Sequence, residues 1–129
     1  MKAIKIPEGS DPIEYLRKVI KESGYRGGLI VGIGGMKWAK VGIFNGRTYH
    51  VELIVAKEDR ILEVAPLVGN FLIRPDGDVD IHVHINLGRD HGEVYAGHLV
   101  KAEVFPFLEV FLLESENEVS EVFSHRLKK

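Results

Sequence analysis

The chain contains no cysteine and no glutamine. Without cysteine it can form no disulfide, carry no thiolate nucleophile and build no cysteine-type zinc site. It also lacks a charge of one dominant sign. Its 17 Lys and Arg against 19 Asp and Glu leave a net charge of -2, so it has no general attraction for the phosphates of nucleic acid. No apolar run approaches the ~18 residues needed to cross a bilayer. The opening segment MKAIKIPEGSDP has no apolar core of the signal-peptide kind. These features predict a cytoplasmic protein with no membrane partner. What is present suits an ordered globular chain: 45% hydrophobic and 28% charged residues over 129 positions, enough for one compact domain spanning 1–129.

Hydrophobic periodicity predicts one helix and many strands. The stretch 2–6 alternates polar and apolar residues and reads as a strand. In SDPIEYLRKVIKESG, Asp11 can cap a helix, Pro12 suits its first position and Glu14 completes a capping-box pattern. Ile13, Leu16, Val19 and Ile20 then share a face, and Gly24 can end the helix. This predicts one long helix over about 11–23. Strands are expected at 27–34 and 37–44, followed by the hairpin signal Asn45-Gly46. Tyr49, Val51, Leu53 and Val55 share one face of the next strand. The stretch 61–73 is expected to bend at Pro66 between two strands. The tail EVSEVFSHRLKK fits either a capped helix or an edge strand. The predicted class is α+β: a mostly antiparallel sheet partly covered by the helix.

Four of the six histidines fall between positions 80 and 98. In a strand over VDIHVHINL, Ile81, Val83, Ile85 and Leu87 face the core, and Asp80, His82, His84 and Asn86 face away. Folding the hairpin about Asp90 in GRDHG would set His82 opposite His98, His84 opposite Ala96 and Leu87 opposite Glu93. His82, His84 and His98 would then converge, with Ala96 and Gly97 leaving room beside them. Three imidazoles on one rigid surface can hold a divalent cation, zinc being the expected ion, with a further position left open. The same histidines could instead line a hydrogen-bonded pocket or a subunit contact. Asp80 and Glu109 are candidate partners that would orient a histidine from behind. His91 is expected in solvent at the turn, and His50 and His125 are isolated.

Several motifs together resemble the PPC domain, the plants-and-prokaryotes-conserved domain sometimes called PD1-like, in its prokaryotic form. They are His82-Val83-His84, the turn at 88–92, Ala96-Gly97-His98-Leu99, Glu109 within FLEVFLL, Gly69-Asn70 within LEVAPLVGNF, and GIGGMKWAKVGIFN. The matches run in order along nearly the whole chain. Ala96 departs from the glycine usual at that place. The resemblance implies a compact α+β fold, a homotrimer, and metal binding by His82, His84 and His98. It also carries a DNA-binding label. In the plant relatives, however, AT-hook motifs of the Arg-Gly-Arg-Pro kind contact DNA, and this chain has none.

Other features read more plainly. The glycines of GGLIVGIGGMKW precede a strand and no Gly-Lys-Ser/Thr, which argues for close backbone packing and against a phosphate loop. Trp38 suits a core or subunit contact. Lys37, Lys40, Arg47 and Lys57 could form a modest basic face or simply solvate an edge. FPFLEVFLL is apolar on both faces, as a strand covered by a neighbouring subunit would be. Three functions are consistent with this pattern: a metal-binding trimeric module with a regulatory role, a metal-dependent hydrolase of unknown substrate, and a DNA-associated protein. No catalytic residue is assigned.

Overall fold

The computed structural model describes residues 1–128. The element order is β1 (Lys2–Pro7), α1 (Pro12–Ser23), β2 (Gly27–Phe44), β3 (Tyr49–Val55), β4 (Leu62–Ile73), β5 (Val79–Arg89), β6 (Glu93–Glu114) and α2 (Val119–Val122), with a 3-10 turn at Ser124–Leu127.

Helix α1 lies where the capping signals place it. Asp11 Oδ2 accepts the Glu14 amide at 3.2 Å, Pro12 opens the helix and Gly24 closes it at φ 75°. Leu16 and Ile20 are fully buried. At 12 residues it is a short helix of about 18 Å, not the long one expected.

The strands are longer and fewer than the turn signals suggest. The segments 27–34 and 37–44 form one strand, because Gly32 to Trp38 absorb register shifts instead of turning the chain. β6 likewise runs unbroken through Pro106. β4 continues through Pro66 with a register shift between Val64 and Leu67. All pairings are antiparallel, in the order β1-β6-β5-β4-β2-β3, and β6 also pairs with β2. That extra pairing closes β2, β4, β5 and β6 into a ring, and β1 and β3 flank it as strands paired on one side. Phe71, Met36, Leu67, Val83 and Leu108 fill the core with no accessible surface. α1 packs across β5 and β6.

The tail takes short helical turns, not an edge strand. Val119 is seated against Gly27, leaving no space there for a Cβ. Arg26 Nε donates to Glu118 at 3.0 Å, and burial of Val119 anchors the segment.

Candidate functional site

The β5–β6 hairpin turns through Asp90, His91 and Gly92, all with positive φ (26°, 53° and 82°). The axis therefore passes through His91, not Asp90. Arg89 pairs with Glu93 and Leu87 with Tyr95. A polar cluster holds this register: Tyr95 Oη donates to Glu93 Oε2 at 2.9 Å, and Arg89 Nη2 donates to the same oxygen at 3.3 Å. Those two bonds, Tyr95 first, hold the Glu93 carboxyl below its ordinary pKa.

His98 consequently pairs with His84, and Ala96 with Asn86. The expected pairing of His82 with His98 is displaced by two positions. A two-residue displacement preserves side-chain parity, so the histidines still share the outer face. Val83, Ile85 and Leu99, their chain neighbours, are buried in the core.

The three rings converge. Centroids of His82 and His84 are 5.1 Å apart, His82 and His98 5.0 Å, and His84 and His98 6.3 Å. Three imidazoles bound to one tetrahedral ion at about 2.1 Å would place their centroids roughly 5.3 Å apart. The spacing fits. The ring of His82 stands nearly edge-on to both neighbours, at 78° and 85°, angles that rotation about metal–nitrogen bonds permits. As they stand, no three His, Asp, Glu or Cys side chains among the described residues form a group able to hold a metal ion. Ligation would need the imidazoles to turn about their side-chain bonds, which their outward position on the sheet allows.

The histidines line a cleft of about 730 Å³, walled also by Phe44, Tyr49, Pro66, Val68 and Asn86. Its size is in the range of about 300–1,000 Å³ usual for small-molecule sites. Among the described residues, no carboxylate and no Lys or Arg lines it. Burial lowers the pKa of His82, with further lowering from His98, His84 and Arg126 and a small opposing pull from Asp80. Burial and then His84 lower that of His98. Both rings are thus biased toward the neutral form, which alone offers a lone pair to a cation.

Among the described residues, neither expected supporting carboxylate hydrogen-bonds a histidine. Asp80 is engaged by Arg74 at 2.9 Å and Arg126 at 3.2 Å, so it serves two guanidinium groups and not a histidine. Glu109 is exposed on the far half of β6, opposite Lys5 on β1 and Ile33 on β2. It lies eleven positions along β6 from His98, about 36 Å of extended chain. His91 is exposed beside Asp90, and His50 pairs with Glu52. Trp38 is half-buried, its Nε1 donating to Glu103.

Three residues at the site escaped the sequence reading. Tyr49 Oη lies 3.3 Å from His98 Nδ1. Asn70 on β4 stands opposite His82. Arg126, from the C-terminal turn, donates to Asn70 Oδ1 and reaches Asp80. Tyr49 was detectable in principle: the Asn45-Gly46 hairpin sets it diagonally across from Gly42, a position without a side chain. Nothing local to Arg126 signals its destination.

The closed antiparallel ring with histidines converging on its outer wall defines a β-rich α+β module carrying a histidine-lined cleft. The chain belongs to the Plants and Prokaryotes Conserved (PCC) domain family, which it matches over residues 2–116. It is similar to a plant- and prokaryote-conserved (PPC) protein of Pyrococcus horikoshii, at 34% identity and TM-score 0.79 over 91% of this chain and 79% of that one. It is also similar to a protein of Archaeoglobus fulgidus described as metal-containing, at 31% identity and TM-score 0.77 over 88% and 77%. A Bacteroides thetaiotaomicron protein described as a candidate DNA-binding protein shares 25% identity, with TM-score 0.78 over 89% and 78%. No curated protein matches the chain. No helix among the described residues is long and apolar enough to cross a membrane.

Proposed function

We propose that this PCC-domain chain is a homotrimeric, metal-binding module, in which His82, His84 and His98 hold a divalent cation, zinc being the expected ion. The observation that carries the reading is the convergence of three imidazoles, two of them biased toward the neutral form, on one cleft. The description of the Archaeoglobus relative as metal-containing supports it. A bound ion would supply a Lewis acid with a position open to a small molecule in the cleft. That suits a ligand-sensing, regulatory role.

The metal-dependent hydrolase reading has less support. Hydrolysis needs a base beside the attacking water, and the cleft offers no carboxylate once Glu109 is placed on the far half of β6. The homotrimer is supported by exposed apolar side chains on β3, where Tyr49, Val51, Leu53 and Val55 are each about half exposed. DNA association is supported by the description of the Bacteroides relative. The basic set weakens it: Lys37 pairs with Glu103, and Lys57 with Asp90 and Glu93.

Metal content per chain, measured by mass spectrometry on untagged protein, tests the proposal beside a His82→Ala/His84→Ala control. Near-stoichiometric metal that vanishes in the control is the expected result. Protein that is metal-free and takes up no added Zn²⁺ would overturn it and leave the histidines as a structural patch. A salt-dependent gel shift tests DNA association, and its absence at physiological ionic strength removes that reading.

A further inference from the structure

Among the three cleft histidines, His98 is the one with a side-chain hydrogen bond, to the hydroxyl of Tyr49 at 3.3 Å. The fold makes room for this contact. Gly42 on β2 pairs with His98 on one side and with Val51 of β3 on the other. Tyr49 lies two residues before Val51 on the same face, diagonally across from Gly42. A Cβ on Gly42 would collide with the hydroxyl and ring carbons of Tyr49. The tyrosine therefore occupies the volume of the missing side chain and passes over Gly42 to reach Nδ1 of the histidine beyond it.

The chemistry of the pair is asymmetric. A neutral imidazole has one N–H and one lone pair, and a hydroxyl can donate or accept. In one arrangement Tyr49 donates to a bare Nδ1, and Nε2 keeps the proton. In the other, Nδ1–H donates to the Tyr49 oxygen, and Nε2 carries the lone pair. A histidine that gives its Nε2 lone pair to a cation needs an acceptor at Nδ1. Moving between the two arrangements releases a proton from Nε2, takes one up at Nδ1 and leaves the ring neutral. The hydroxyl turns, and its contact survives.

We infer that Tyr49 is a positioning residue of the cleft, holding His98 by Nδ1 in both tautomers and assigning Nε2 as the atom offered to a divalent cation. The cation half of this statement rests on the metal reading above. The tautomer half stands without it.

The test uses nitrogen-15 imidazole spectra of the full chain, metal-free and with Zn²⁺, together with calorimetric Zn²⁺ titrations. Wild type is compared with Tyr49→Phe, which keeps the ring over Gly42 and is expected to melt at the wild-type temperature. In the metal-free state, Tyr49→Phe should change the tautomer balance of His98 and leave His84 as in wild type. With Zn²⁺, wild-type His98 should carry its proton on Nδ1. Tyr49→Phe should keep the stoichiometry and weaken binding about 10- to 100-fold. Ligation through Nδ1, or unchanged affinity in Tyr49→Phe, would overturn the inference. If wild type takes up no zinc, the metal reading fails by itself, and the metal-free spectra decide the contact: an unaltered His98 signal in Tyr49→Phe overturns it.

Discussion

His84 and His98 are direct cross-strand partners, and their ring centroids lie 6.3 Å apart on the outer wall of the ring of strands. Beyond His98 the same row continues to Gly42, and beyond His84 it continues to Val68. The row thus crosses four strands of one sheet, β2, β6, β5 and β4. Sites built on strands are held more tightly than sites built on loops.

His84→Ala should abolish stoichiometric zinc binding, with an affinity loss larger than the roughly 10- to 100-fold that an outer partner costs. The side chain is exposed, so stability should change by no more than about 0.5 kcal/mol. Calorimetric zinc titration and thermal melts check both parts. Retained affinity would remove His84 from the ligand set.

The metal-free protein should lose stability as pH falls below about 6.5, the ordinary histidine value. Burial and neighbouring histidines lower the pKa of His82 and His98 in the folded chain. The unfolded chain then binds more protons in this window, so stability rises with pH. The contribution is intact above the unfolded value and erodes progressively below it. Melts from pH 5 to 8 should show this slope, and His82→Asn/His98→Asn should flatten it. Equal slopes in both proteins would show that these rings do not titrate differently on folding.

Gly69→Ala should destabilise by about 2–3 kcal/mol. Its Cβ would run into the His82 carbonyl oxygen and the Val83 backbone across β4 and β5, and neither can move without breaking the ladder. Gly88→Ala is the matched control: its Cβ would meet Glu63 Cβ at 3.5 Å and the Glu63 carbonyl oxygen at 3.9 Å, both ordinary contacts. Urea denaturation of both variants checks the contrast, and equal midpoints would argue against the close β4–β5 approach at Gly69.

Arg126→Ala should cost about 1–3 kcal/mol by leaving Asn70 and one side of Asp80 without their partner. It should also raise the pKa of His82, because the guanidinium disfavours the imidazolium. Proton NMR titration of the metal-free protein reads the second effect, which a purely structural loss at the C-terminus would not produce.

If the chain is a homotrimer joined through β3, Val51→Glu/Leu53→Glu should convert it to smaller species while leaving the circular dichroism unchanged. Both side chains are about half exposed, so the folded chain by itself loses little. Light scattering after size exclusion checks the mass. An unchanged trimer would place the contact on another face.

Local chemistry determined much of this protein before any tertiary contact formed. Asp11, Pro12 and Gly24 bracket α1 through backbone groups within a few residues, so its ends are written in the sequence. Alternation along β5 sends His82 and His84 away from the core because a strand has period two. Tertiary structure decided the rest. Whether His98 faces His82 or His84 turns on a three-residue loop with positive φ and on the Arg89–Glu93–Tyr95 cluster, which together move the hairpin axis from Asp90 to His91. The joining of 27–34 with 37–44 into one strand depends on β4, β3 and β6 supplying partners along its whole length. Asp80 was turned to Arg74 and Arg126, and Glu109 was set apart by strand length, while Tyr49, Asn70 and Arg126 were brought in from other elements. Such contacts span up to 56 residues of sequence. No local pattern encodes them; they follow from the closure of the sheet, which sets distant strands side by side in one register.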